Sequence, residues 1–189
     1  MAKPLIPAED IYARALELLD AEGLAALNAH RLVKDLGIST KTLYQQVGGR
    51  HQLTRALVAR HFSRLRLEFQ QRGTWEDTAL HWSLALDAAL RAHPHLTQLM
   101  SMDDRKAVAD YVGELIKAAL REGFPRELAV AGCRGLATLT INHAVVAVRA
   151  LLDPDRTADT EAEIARIDRD FPTLVRWTLS GMRADGPAR

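Results

Sequence analysis

Between Leu27 and Leu53 the chain reads LNAHRLVKDLGISTKTLYQQVGGRHQL, and few architectures can accommodate that stretch. Gly37 splits it into two short runs of helical periodicity, and the Gly48-Gly49 pair closes the second. Asn28 is placed to cap the first run, whose apolar face is Leu32, Val33 and Leu36. Gly37 supplies a turn with positive φ, a conformation easy only for glycine. Ile38 pins that turn to a core, Ser39 or Thr40 caps the second run, and Leu43 and Val47 face inward. The outward set is then Thr40, Lys41, Thr42, Tyr44, Gln45 and Gln46. Two short helices about one glycine turn, the second polar on its free side, have the layout of a helix-turn-helix. Those outward side chains suit a DNA major groove. Gln can pair with adenine, Lys can reach guanine or a phosphate, and Thr can meet a thymine methyl. Arg50, at the N-terminus of the following helix, is expected at a backbone phosphate.

The rest of the chain carries helical periods only. Pro7 opens a first helix with Ile11, Ala15, Leu18 and Leu19 on one face, ended at Gly23. A fourth helix is expected from Arg50 to about Gln71, with Leu53, Leu57, His61 and Leu65 in one stripe, broken at Gly73. Thr74 caps a fifth, Trp75 to Ala92, whose broad apolar face includes Trp75, Ala79, Trp82, Leu86 and Leu90. After His93-Pro94 and a short segment to Met102, Asp103-Asp104 starts a helix closed by Gly123 and Pro125. The next, Arg126 to Leu152, is uncharged between Arg134 and Arg149 and ends at Asp153-Pro154. A charged helical segment, 158–170, and a separate last helix, Pro172 to Met182, complete the reading. No strand pattern or internal repeat is present. The expected fold is all-α.

Composition narrows the function classes. The single cysteine, Cys133, sits in an apolar run and reads as a buried small hydrophobe in a reducing, cytoplasmic setting. The first seven residues contain two prolines and do not read as a signal peptide. The stretch from Gly135 to Val148 is too short for a bilayer and contains Thr138, Thr140, Asn142 and His143, so no membrane association is expected. Net charge is +1 overall, yet no acid stands between Asp35 and Glu68, which favours a phosphate-facing surface there. There is no HExxH, CxxC, Gly-rich phosphate loop or GxSxG. His93 and His95 with Asp103 and Asp104 are the remaining metal-site candidates, flanking a helix end where solvated histidines are ordinary. The chain is therefore expected not to be an enzyme, and no cofactor or resident metal is implied.

Residues 11–57 resemble the N-terminal domain of the TetR family of bacterial transcriptional regulators. The residues that carry the likeness are Leu32, Leu36-Gly37-Ile38-Ser39, Leu43-Tyr44, Val47, Arg50 and Leu53. Gln46 stands where the family often has His, and Arg50 replaces its usual Lys, keeping the charge and adding a fork. The resemblance implies a helix-turn-helix DNA-binding domain over 1–50, a connecting helix over 51–72, and a helical ligand-binding and dimerisation domain over 73–189. It also implies DNA contacts from Asn28, Ala29 and His30 as well as from Ser39, Thr40, Lys41, Thr42, Tyr44, Gln45, Gln46 and Arg50.

The function so implied is a homodimeric repressor on a palindromic double-stranded operator, released by an apolar or aromatic small-molecule effector. Dimerisation would use the last two long helices in a four-helix bundle, with the small residues at 131, 132, 135 and 137 allowing close approach. Candidate effector contacts are Phe62, Trp82, Leu86, Met100, Tyr111, Leu139, Asn142 and His143, a mix of aromatics, soft Met and a few polar groups. Two rival readings are a helical protein-interaction scaffold without DNA binding and a metal-assisted enzyme.

Overall fold

The computed structural model describes residues 6–65, 70–101 and 105–186; the side chains of 62–65 and 105–111 lie outside the described set. The described residues form nine helices: α1 (Ala8–Glu22), α2 (Ala29–Leu36), α3 (Thr40–Val47), α4 (Arg50–Leu65), α5 (Trp75–Ala92), α6 (Pro94–Gln98), α7 (Arg105–Arg121), α8 (Arg126–Leu151) and α9 (Ala158–Ala184). Among the described residues there is no strand. No described helix is long and apolar enough to cross a membrane.

The chain divides into two compact units, Met1–His61 and Phe62–Arg189. The division falls inside α4, earlier than Gly73. The reason is visible in burial: Leu53, Leu57 and Val58, all in the first half of α4, belong to the core of the N-terminal unit. That core is completed by Ile11, Ala15, Leu18 and Leu19 from α1, by Leu27, Leu32 and Ile38, and by Leu43 and Val47 from α3. Arg60 adds a rim contact, lying 4.2 Å over the Tyr12 ring and pairing with Glu9 on α1.

In the C-terminal unit α5 and α8 form the centre. These two helices pack on each other, and Trp75, Ala79, Trp82, Leu86 and Leu90 of α5 and Cys133, Leu136, Ala137, Ile141, Ala144 and Val148 of α8 are all buried. At Gly132 the lack of a side chain leaves room for α9. A Cβ added to Gly132 would come within 2.0 Å of Met182 Cε on α9. Trp75 packs on Phe124 with ring centroids 4.8 Å apart.

Two expectations need correction. Gln70 and Gln71 lie outside helix, so α4 does not reach the end foreseen for it. The expected break at Pro172 is absent, and α9 runs unbroken through it. An internal proline costs about 3 kcal/mol through the lost N–H and the ring's clash. Here Phe171, Val175, Leu179 and Met182 are buried in one continuous stripe, which only an unbroken helix delivers. Ion pairs also hold the helix on both sides of the proline: Arg91 to Asp168 at 2.7 Å and Arg183 to Glu76 at 2.5 Å.

Candidate nucleic-acid interface and effector unit

The turn between α2 and α3 is built from local chemistry. Asn28 Oδ1 accepts from the Arg31 backbone N–H at 2.9 Å, capping α2. Gly37 ends α2 in the left-handed region, with φ 63° and ψ 28°. Ser39, and not Thr40, caps α3, accepting from Thr42 N–H at 3.0 Å. The Ser39 and Thr42 hydroxyls also pair with each other at 2.8 Å. These two side chains are thus engaged in shaping the helix start.

Thr40, Lys41, Tyr44 and Gln45 form the exposed side of α3, with Tyr44 50% exposed. Gln46 and Thr42 are half-buried at its edges. On α2, His30 is exposed and Ala29 half-buried, next to the exposed Asn28. The structure therefore brings four of the expected reading residues, Thr40, Lys41, Tyr44 and Gln45, onto the free side of α3. Arg50 is different. Its guanidinium donates to the Leu24 carbonyl at 2.8 Å, within the protein.

Sequence reasoning missed the ionic frame behind this surface. Asp35 on α2 accepts from Arg14 on α1 at 2.6 Å and from Arg31 at 3.3 Å, while Arg31 also reaches Glu22 at 3.0 Å. The Arg14 hydrogen bond is the main reason the Asp35 carboxyl titrates below its ordinary range. The lone acid on α2 beside Arg31 at i,i+4 spacing was the available signal.

In the C-terminal unit the expected effector residues separate. Trp82 and Leu86 are core, Met100 and Leu139 are half-buried, and Asn142 is exposed on α8. The side chains of Phe62 and Tyr111 lie outside the described residues, as do Asp103 and Asp104. His143 is buried, with its Nδ1–H donating to Asp87 Oδ1 at 2.7 Å. Its Nε2 stands 3.5 Å from Asp168 Oδ1, without hydrogen-bond geometry, and its ring stacks on Phe171 at 4.0 Å. Arg91 completes the group, donating two bonds of 2.7 Å to Asp168 and lying 3.5 Å from Asp87. Asp87 lies on the buried face of α5, and an acid on an apolar stripe was the sign that a partner would be found.

Two open clefts lie on the surface of this unit. One, of about 590 Å³, is lined by Arg72, Gly73, Asp77, Leu80, His81 and Leu84. The other, of about 380 Å³, lies among Glu76, Asp77, Leu80, Arg176, Leu179, Ser180 and Arg183. Neither is lined by a residue expected to touch an effector. Burial pushes the Cys133 thiol up to about 12, so it is not a nucleophile at neutral pH. Among the described residues no group of three His, Cys, Asp or Glu is arranged to hold a metal.

An all-α chain with an N-terminal helix-turn-helix unit and a separate helical unit defines the class. The fold is that of the TetR-family regulators. A single-residue variant of TetR from Acinetobacter baumannii AYE, solved with minocycline, matches with a TM-score of 0.73, covering 97% of this chain and 99% of that one at 16% identity. ActR of Streptomyces coelicolor, a TetR family protein solved with (S)-DNPA, gives 0.67 over 97% and 100% at 21% identity. BioQ with its double-stranded DNA operator gives 0.66 over 95% and 99% at 22% identity. No family model matches the sequence. An HTH-type transcriptional regulator of Saccharopolyspora erythraea is 27% identical over 99 residues, covering 52% of this chain and 42% of that protein. The chain thus spans less than half the length of that curated relative.

Proposed function

We propose that the protein is a DNA-binding transcriptional regulator, acting as a homodimeric repressor that a small-molecule effector releases from its operator. The observation that carries this reading is the exposure of Thr40, Lys41, Tyr44 and Gln45 along α3 while Leu43 and Val47 of the same helix are buried. A helix so mounted can enter a major groove without disturbing the core. The operator complex of BioQ and the minocycline and (S)-DNPA complexes of TetR and ActR lend support, because those proteins share the fold.

A single head makes few base contacts, so two heads on a palindrome are the natural arrangement. The surface that would join them is the outer side of α8 and α9. Val146 and Leu151 on α8 are 51% and 52% exposed, and Leu174 and Trp177 on α9 are 40% and 67% exposed. Ala131 and Gly135 are exposed on α8 and leave room for a neighbour. Gly132 and Ala137 are used differently, facing Met182 and the core. Release would follow if an effector bound better, by a few kcal/mol, to a conformation whose heads cannot both engage the operator.

The test is to select duplexes from a random-sequence pool with the full-length protein and then titrate binding against salt. A steep negative dependence of log K on log salt is expected. Failure to enrich any duplex would favour the scaffold reading, to which the even charge balance of residues 1–50 lends some weight, and binding with no salt slope would count against a phosphate-contacting head. A thermal-shift screen of apolar and aromatic compounds, followed by asking which hits release the bound duplex, tests the effector half.

A further inference from the structure

We infer that Arg50 is a positioning residue of the helix-turn-helix and not a phosphate contact: its guanidinium braces the turn between α1 and α2 against the start of α4. The functional consequence rests on the DNA-binding reading above, whereas the brace itself is intramolecular.

The turn is a compact hydrogen-bonded unit. Ala26 N–H donates to Gly23 O at 3.2 Å, Leu27 N–H to Leu24 O at 3.2 Å, and Asn28 N–H to Ala26 O at 2.8 Å. The Asn28 side-chain amide also donates back, to Ala26 O at 3.3 Å. Arg50 adds a second donor to the Leu24 carbonyl, at 2.8 Å and from 26 positions further along the chain. A carbonyl oxygen has two lone pairs and accepts both. The turn leads directly into Asn28, whose side chain starts α2. Arg50 therefore fixes where α2 begins.

The start of α4 is satisfied from inside as well. Gly49 N–H donates to Gln52 Oε1 at 2.7 Å. That oxygen lies so close that a Cβ on Gly48 would come within 2.0 Å of it. The Gly49 N–H and one arm of the Arg50 guanidinium thus already have partners inside the protein. The fork of an arginine suits this task, since it presents several donors in one plane at the end of a long arm.

Mechanically, the brace closes a loop around α2 and α3. One end of the pair is held by Arg50 on the turn. The other side of α2 is held by Asp35 on Arg14 of α1. Removing the brace leaves Lys41, the one charge on α3, unaltered and loosens the position from which α2 would approach a duplex.

The experiment uses the full chain with Arg50→Ala and Arg50→Lys, a fluorescent duplex selected from a random pool by the unaltered protein, and salt titrations. Amide exchange across residues 24–28 is measured without DNA. The expected result is a loss of affinity of about 5–10-fold in both variants, faster exchange in the turn, and a salt slope equal to that of the unaltered protein. A slope reduced by about 0.9 or more per head would identify a phosphate contact and overturn the inference. Full recovery of affinity by Lys would do the same, because charge alone would then suffice. Unchanged exchange in the turn overturns it independently of DNA. If the unaltered protein shows no salt-dependent binding, the regulator reading fails, while the exchange arm still decides whether the brace exists.

Discussion

Asp168 on α9 receives both arms of the Arg91 guanidinium on α5, two bonds of 2.7 Å, at the point where α9 passes the buried His143–Asp87 pair. At the far end of the same two helices Arg183 pairs with Glu76 at 2.5 Å. The helices are thus antiparallel and pinned at both ends, and each pin has one residue from each helix. Bidentate pairing fixes orientation as well as distance. The pins hold the register of α9, whose outer side carries Leu174 and Trp177.

The Arg91–Asp168 pair is about one-third exposed on either side, so its contribution is below that of a fully buried pair. Asp168→Ala is expected to lower stability by about 1–2 kcal/mol in urea denaturation. A double-mutant cycle with Arg91→Ala should show coupling of about 1 kcal/mol. Strict additivity would mean that the pair merely decorates the surface.

Acid should release the frame of the N-terminal unit. The Asp35 carboxyl titrates below its ordinary value, chiefly through the Arg14 hydrogen bond, so it binds fewer protons folded than unfolded. Its stabilisation is fully present above the unfolded value of about 3.9 and disappears as pH falls through the lower folded value. The melting temperatures of the unaltered protein and Asp35→Asn should differ at neutral pH and converge as the pH falls through the lowered folded value. A gap that persists in acid would assign the effect to packing.

Lys41→Ala and Tyr44→Ala remove exposed side chains from α3 and should leave stability within about 0.5 kcal/mol of the unaltered protein. Each should weaken binding to a selected duplex by about 5–10-fold, or roughly 1 kcal/mol. Anisotropy titration and thermal melting on the same samples separate the two quantities. Parallel losses in both would make these side chains structural.

Trp177 is 67% exposed and Val146 51% exposed, large apolar groups on the proposed pairing surface. If the chain pairs through this surface, Trp177→Glu should shift sedimentation velocity toward monomer without loss of helix content, since the charge would be buried only on pairing. An unchanged sedimentation coefficient would move the pairing surface elsewhere.

The local chemistry of this chain was legible without coordinates. Asn28, Gly37 and Thr74 stand at the ends of their helices because caps and turns are short-range: each acts within a few residues of itself. The inward stripe of α1, and Leu43 and Val47 in α3, followed from period alone. The exposed side of α3 was their complement.

Other features depended on residues distant in sequence and adjacent in space. The run of α9 through Pro172 needed the burial of Phe171 and Val175 against other helices, which outweighs a strong local signal to stop. His143 found Asp87 56 positions away, and Arg50 found a backbone carbonyl, a partner that every residue offers and no residue type marks. Sequence determined which segments are helical and which sides are apolar, since those depend on neighbours along the chain. Tertiary structure decided which polar groups are spent inside the protein and which stay exposed, because that depends on distances set only when the helices pack.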